Sequence, residues 1–204
     1  SLVNVARGAG LSCSAIITDM NQVLGNNVGN SLEVIESIEF LINKIQNKRL
    51  KEVVTNLSVE LLCMKDESFK QENALNKVKE VINNGKAAEK FEMMVAGLGG
   101  PKNILSSYKK ELKKTSCCIE IYSKDEGYIH SMMTKEIGIL LIKIGGGRKN
   151  INDKINYSVG FSEIKNIGDK VNKKTPLLKV HLQDRSNLEV LRPALQNCFL
   201  VKSD

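Results

Sequence analysis

Gly145-Gly146-Gly147-Arg148-Lys149 has the composition of an anion cradle, three glycines followed by two cations. A phosphate loop, however, follows a strand and opens a helix, so that backbone N–H groups and the helix dipole face the anion. Here Ile137, Leu140, Leu141 and Ile144 keep helical spacing ahead of the glycines, and the pattern G-x-x-x-x-G-K-S/T is missing. The triplet therefore reads as a helix stop. Glu33, Glu36 and Glu39 lie three apart and share a helix face only approximately. Carboxylates near a helix N-terminus are favoured by the dipole and need no catalytic role. His130 and His181 have no Ser/Asp or Cys constellation beside them in sequence, so packing or a backbone hydrogen bond is expected for both.

The five cysteines (Cys13, Cys63, Cys117, Cys118, Cys198) form an odd set without C-x-x-C spacing. With two histidines in the chain, a zinc site is poorly supplied, and reduced thiols packed mostly as small hydrophobes are expected. Cys117 and Cys118 should point to opposite faces of a strand.

The elements that would position these groups follow from periodicity. Leu2 to Arg7 reads as the last turns of an amphipathic helix ended by Gly8 and Gly10, without a residue to begin it. Cys13 to Thr18 reads as a buried strand of a parallel sheet, whose neighbours must come from elsewhere because the next 90 or so residues read as helical. A Gly/Asn-rich loop spans 19–30, and Asn30 with Glu33 resembles a capping box. Four helices follow. The first carries Leu32, Ile35, Ile38, Leu41 or Ile42, and Ile45; the second has Leu50, Val53, Val54, Leu57, Leu61 and Met64 on one face. The third covers roughly 68–82, and the fourth packs Ala87, Phe91, Met94, Val95 and Leu98 before Gly99-Gly100-Pro101. Pro101 suits the start of a short helix over 102–112. Near residue 113 the character changes. Strands are expected at 116–122 and 127–131 around the turn Lys124–Gly127, and a helix capped by Thr134 follows. Short strands at 157–161, 169–171 and 176–183 and a helix over 186–197, limited by Pro193, complete an α+β segment.

The net charge of +7 invites a nucleic-acid reading. The lysines are scattered apart from short clusters such as Lys109-Lys110 and Lys113-Lys114; there is no Trp, and aromatics make up 4%. A stacking surface for bases is not expected, nor any nucleic-acid partner. No apolar run approaches the roughly 20 residues of a membrane span, and no signal-peptide pattern is present, so a cytoplasmic protein without a membrane partner is expected.

Two distant blocks carry the most specific signal. Thr18-Asp19-Met20-Asn21-Gln22-Val23-Leu24-Gly25 runs into Val28-Gly29-Asn30-Ser31-Leu32-Glu33-Val34. Far downstream stand Gly145-Gly146-Gly147-Arg148, Ile155-Asn156-Tyr157-Ser158-Val159-Gly160-Phe161 and Gly168-Asp169-Lys170-Val171. In order and spacing these blocks resemble the C-terminal half of thymidine and pyrimidine-nucleoside phosphorylases. The resemblance implies an α/β fold with a C-terminal α+β lobe. Residues 1–112 would complete the large phosphorylase domain with one strand and its covering helices. Residues 113–204 would form an α+β subdomain of barrel-sandwich-like layout.

The implied activity is reversible phosphorolysis of thymidine to thymine and 2-deoxyribose 1-phosphate, a pentosyl transfer with inorganic phosphate as co-substrate. The family holds the phosphate in a Lys-His-Ser-Thr-Gly-Gly loop and the base with an Arg and a Ser-x-x-x-Lys pair. None of the matching blocks carries either motif. No catalytic or substrate-binding residue is therefore expected here, and the isolated chain should not turn over thymidine. The resemblance also implies a cation, K⁺ or Ca²⁺, held by the backbone carbonyls of Leu24 and Asn27 and the carboxylate of Glu36. Oxygen-only ligation suits such hard ions. The partners implied are an N-terminal half or polypeptide and, in the complete enzyme, a homodimer. Three readings stay open: a fragment of a phosphorylase, one half of a split enzyme, or a non-catalytic interaction module.

Overall fold

The computed structural model describes residues 2–66, 68–112 and 115–203. The expected boundary at 112/113 and the Lys113-Lys114 cluster fall on or beside residues outside that set. Helix α1 (Leu2–Gly8) opens the chain, and α2 (Asn30–Leu41), α3 (Lys48–Lys65), α4 (Gln71–Asn83), α5 (Lys86–Gly97) and α6 (Ile104–Glu111) follow. Next come β1 (Cys117–Tyr122), β2 (Gly127–Met132), α7 (Thr134–Lys143), β3 (Gly160–Ser162), β4 (Lys170–Val171), β5 (Pro176–Leu182), α8 (Leu188–Gln196) and β6 (Phe199–Lys202). The result is a mixed α/β fold with two small antiparallel sheets, ordered β1-β5-β3 and β4-β2-β6.

The strand expected at 13–18 does not form. Cys13 to Thr18 lacks regular structure, and Ile17 is 99% exposed. An apolar run becomes a buried strand only when neighbours supply its backbone hydrogen bonds, and no parallel pair exists among the described residues. The turn after β1 also does not close a hairpin. β1 pairs with β5 (Ile119 opposite Val180), whereas β2 pairs with β4 and β6 (Tyr128 opposite Lys170 and Lys202). β6 lies beyond the expected last helix.

The helices form close to the expected spans, except that α2 stops at Leu41, short of Ile45, and α3 and α5 bury only part of the expected face. On α3, Leu57 and Leu61 are exposed, while Thr55 is buried and Leu50, Val54, Val59 and Leu62 pack towards Phe40, Val78 and Ile82. On α5, Ala88 is buried, Phe91 and Val95 pack against Ile38 and Tyr108, and Met94 and Leu98 are exposed. The helical part thus holds two small cores. The C-terminal part holds one larger core, built on Ile121, Ile137, Phe161, Leu178, Val180 and Leu195. Val23 and Val28 pack against that larger core from the 19–30 loop.

Local signals explain the ends of α7. Gly145 (φ 91) lets its N–H reach Ile142 O at 3.0 Å while Gly146 N–H reaches Leu141 O at 2.9 Å, a two-bond glycine stop. Thr134 does not cap this helix. Met133 stands at the cap, and the Thr134 hydroxyl donates to Met20 O at 3.2 Å. Cys117 packs against the larger core and Cys118 is exposed, as strand alternation requires. Of the five free thiols, Cys198 alone is fully buried, so most are not core residues.

Candidate functional site

The two blocks singled out in the sequence meet in space along the 19–30 loop. Val28 and Phe161 exchange backbone hydrogen bonds in both directions at 2.8 Å, an isolated antiparallel bridge. Ile164 N–H donates to Asn26 O at 2.9 Å, and Asn26 Nδ2 returns a bond to Ile164 O at 2.8 Å. Ser31 N–H reaches Tyr157 O at 3.0 Å, Asn30 Nδ2 reaches Gly146 O at 3.2 Å, and Ile167 N–H reaches the Gln22 side chain at 3.0 Å. The glycines of both blocks permit this approach. A Cβ on Gly29 (φ 129) would lie 2.6 Å from Val159 O, and one on Gly160 would overlap Val28 O.

Glu36 sits beneath this loop. It is 6% exposed, and its Oε1 accepts the Asn26 N–H at 2.7 Å. Burial pushes its pKa above the ordinary carboxylate range, against the backbone N–H groups of Asn26 and Asn27, and Glu33 and Glu39 push the same way as burial. Gly25 is pressed so closely on this carboxylate that a Cβ there would overlap it. Asn27 bonds through its side chain to Leu32 O at 3.2 Å and accepts Glu163 N–H at 3.3 Å. Leu24 is half-buried in the same loop. The three residues expected to hold a cation are thus brought to one loop and one buried carboxylate. Asn27 and Glu36, but not Leu24, border a cavity of about 710 Å³ lined also by Asn26, Glu39 and Glu163. Glu163 has a left-handed backbone (φ 53), a conformation that costs a non-glycine residue roughly 1–2 kcal/mol. Lys179 holds its carboxylate at 2.7 Å.

The other two glutamates of the trio serve locally. Glu33 accepts Gly29 N–H at 2.8 Å, half of a capping box, while the Asn30 side chain is diverted to Gly146. Glu39 accepts the buried Tyr108 hydroxyl at 2.9 Å. His181 bonds through Nε2 to Ser162 Oγ at 2.7 Å, a side-chain contact that the sequence reading did not foresee. His130 is exposed on β2. Among the described residues no group of three or more His, Cys, Asp or Glu could hold a metal, so any cation would rely on carbonyl oxygens. The spacing Ser-x-x-x-Lys does occur, at Ser106/Lys110 and Ser131/Lys135, but neither pair lines the cavity.

Sequence reasoning missed the grip of α3 on the loop. Arg49 Nη1 donates to Val23 O at 2.8 Å and Gln22 O at 3.2 Å. Asn47 caps α3 through Leu50 N–H at 2.9 Å and donates to the Asn26 side chain at 2.7 Å. The asparagine ahead of an apolar-periodic run was the available signal for the cap; no spacing rule reveals the arginine's reach.

Residues 128–202, from β2 to β6, match the family model described as the pyrimidine nucleoside phosphorylase C-terminal domain. The chain is similar to that family over this C-terminal stretch. The blocks between Gly145 and Val171 lie inside the matched stretch. The 18–34 block lies outside it, yet is hydrogen-bonded to it throughout. Among the described residues, no helix is long and apolar enough to cross a membrane.

Proposed function

We propose that this chain is the C-terminal half of a pyrimidine-nucleoside phosphorylase that cleaves thymidine reversibly, with inorganic phosphate, to thymine and 2-deoxyribose 1-phosphate. The observation that carries this reading is the seam between the 18–34 block and the matched domain. Loop and lobe are one hydrogen-bonded unit, so the family assignment of the lobe extends to the loop. In this reading residues 1–112 belong with the large α/β domain, and 113–204 form the barrel-sandwich-like subdomain.

The chemistry requires a phosphate dianion held beneath the anomeric carbon and cationic donors to stabilise charge growing on the departing base. The Lys-His-Ser-Thr-Gly-Gly phosphate loop is not among these 204 residues, so a further N-terminal half supplies it. The exposed apolar run Leu11, Ile16, Ile17 and Met20 suits docking on such a half, and favours it over a free-standing interaction module. The complete enzyme is a cytoplasmic homodimer in this reading.

The cradle of Leu24, Asn27 and Glu36 fits K⁺ or Ca²⁺. A buried carboxylate whose ionisation is opposed by burial and by two neighbouring glutamates is relieved by a positive charge, and Gly25 keeps the loop backbone against it. When bound, the ion supplies charge neutralisation and a tie between this loop and the phosphate-holding half. Leu24 and Asn27 offer carbonyl oxygens, and Glu36 offers its carboxylate.

The test is phosphate-dependent thymine release from thymidine, with the purified chain alone and mixed with a polypeptide carrying the Lys-His-Ser-Thr-Gly-Gly loop, across KCl concentrations. Turnover only in the mixture is expected. Turnover by the chain alone, free of host enzyme, would overturn the reading.

A further inference from the structure

We infer that Arg49 is a positioning residue that clamps the Gln22–Asn27 backbone over Glu36. What the loop is for rests on the cation reading above; the clamp itself rests on geometry. Arg49 is the second residue of α3, and the first turn of that helix holds Lys48 and Arg49 with no acidic side chain. Cations at a helix N-terminus are opposed by the macrodipole, so helix stability does not account for an arginine here. The guanidinium instead reaches back to two successive loop carbonyls, Gln22 O and Val23 O, through charge-assisted bonds. Its Nη2 is buried without a hydrogen-bond partner and lies 3.9 Å from Asp19 Oδ2, too long for a firm ion pair. The two carbonyls are therefore its firm contacts.

The same turn of α3 grips the loop a second time. Asn47 donates to Asn26 Oδ1 while its own oxygen caps the helix. Between the grips lie Leu24 and Gly25, and Gly25 has no room on its Glu36 side. From the opposite flank the lobe holds Gln22 through Ile167 N–H and Asn26 through Ile164. The loop is thus pinned between a helix terminus and the phosphorylase domain. Arg49 holds the loop backbone directly at the Gln22 and Val23 carbonyls, where the lobe bonds the Gln22 side chain.

Amide hydrogen exchange on the whole chain, followed by NMR, tests this without relying on turnover. Arg49→Met keeps the aliphatic stem and removes the donors. Losing two charge-assisted bonds should speed exchange at the Asn26 and Ile167 amides about tenfold or more, while β5 amides such as Val180 keep their rates. Arg49→Lys places a point charge near the same carbonyls and should restore most of the protection. Asp19→Asn should change neither amide. Wild-type rates at Asn26 and Ile167 in Arg49→Met would overturn the inference. So would equal acceleration across β5, because that pattern reports general destabilisation. Adding KCl or CaCl2 separates the two readings. Salt-induced protection of Asn26 that weakens in Arg49→Met upholds both. Local opening in Arg49→Met with no salt effect in either protein upholds the clamp and removes the cation reading.

Discussion

Two adjoining stretches, 9–18 and 19–30, both lie almost wholly outside helices and strands, yet they differ in nearly every other respect. The first is the more apolar, and it is exposed: Leu11 is 63% and Ile17 99% accessible. The second is rich in Asn and Gly, and the lobe, α2 and α3 all bond to it. Hydropathy alone would bury the first and leave the second in solvent. The contrast teaches that order in irregular backbone follows the supply of hydrogen-bond partners, and only then the apolar content. Asn26 shows how much one polar residue can do, with its backbone N–H, backbone carbonyl, side-chain amide and side-chain oxygen each matched to a different group.

The strongest way to break the contrast is to remove the residue on which the seam rests. Phe161 is fully buried in the larger core, and its backbone carries the bridge to Val28. Phe161→Ala should cost about 3–5 kcal/mol in urea denaturation, the range for emptying an aromatic site. A cost below about 1 kcal/mol would mean that the lobe core does not depend on β3. Gly29→Ala is the next largest. It sets a Cβ 2.6 Å from a backbone oxygen that cannot rotate away, at φ 129. A loss of about 2–3 kcal/mol is expected from strain and overpacking together. Little or no loss would mean that the two blocks are not packed backbone to backbone.

Helix spans were legible because five- to six-position apolar stripes survive errors of a residue or two. Which stripe faces inward was not. On α3 the row Leu57–Leu61 is as periodic as the one that packs, and only the position of α4 decides between them. The strand reading at 13–18 failed for a related reason, since a strand is defined by neighbours that an apolar run cannot name. At the candidate site the resemblance pointed to Leu24, Asn27 and Glu36, and of these Asn27 and Glu36 share the cavity while Leu24 lies in the adjoining loop. The supports of that place, Arg49, Asn47 and Asn26, stayed hidden because long-range side-chain to backbone bonds leave no periodic trace. Glycines 29 and 160 were visible as motif letters, but their cause is the mutual approach of two backbones 131 positions apart.

A smaller effect sharpens the contrast through pH. The pKa of Glu36 is raised in the folded chain, so its contribution to stability is fully present below the ordinary carboxylate range and is lost as pH rises through the folded value. As pH falls from above the folded value towards the ordinary carboxylate range, the anchored loop should therefore gain protection, read as slower Asn26 amide exchange after correction for the intrinsic pH dependence. The opposite direction would mean that Glu36 is better paired when ionised than its burial indicates. In that case an occupied cation would be the natural explanation, and its removal by dialysis should restore the predicted sign.

The smallest expected effect lies in the other stretch. Ile17 touches almost nothing of its own chain, so Ile17→Ser should move stability by no more than about 0.5 kcal/mol. On the proposed function, the same change should weaken complementation by a polypeptide carrying a Lys-His-Ser-Thr-Gly-Gly loop, because an apolar side chain left in water has its value only when a partner covers it. A clear stability loss in the isolated chain would show that residues 13–18 pack at home and would erase the difference between the two stretches. Unchanged stability together with weakened complementation would place Ile17 at the joint with the proposed N-terminal polypeptide.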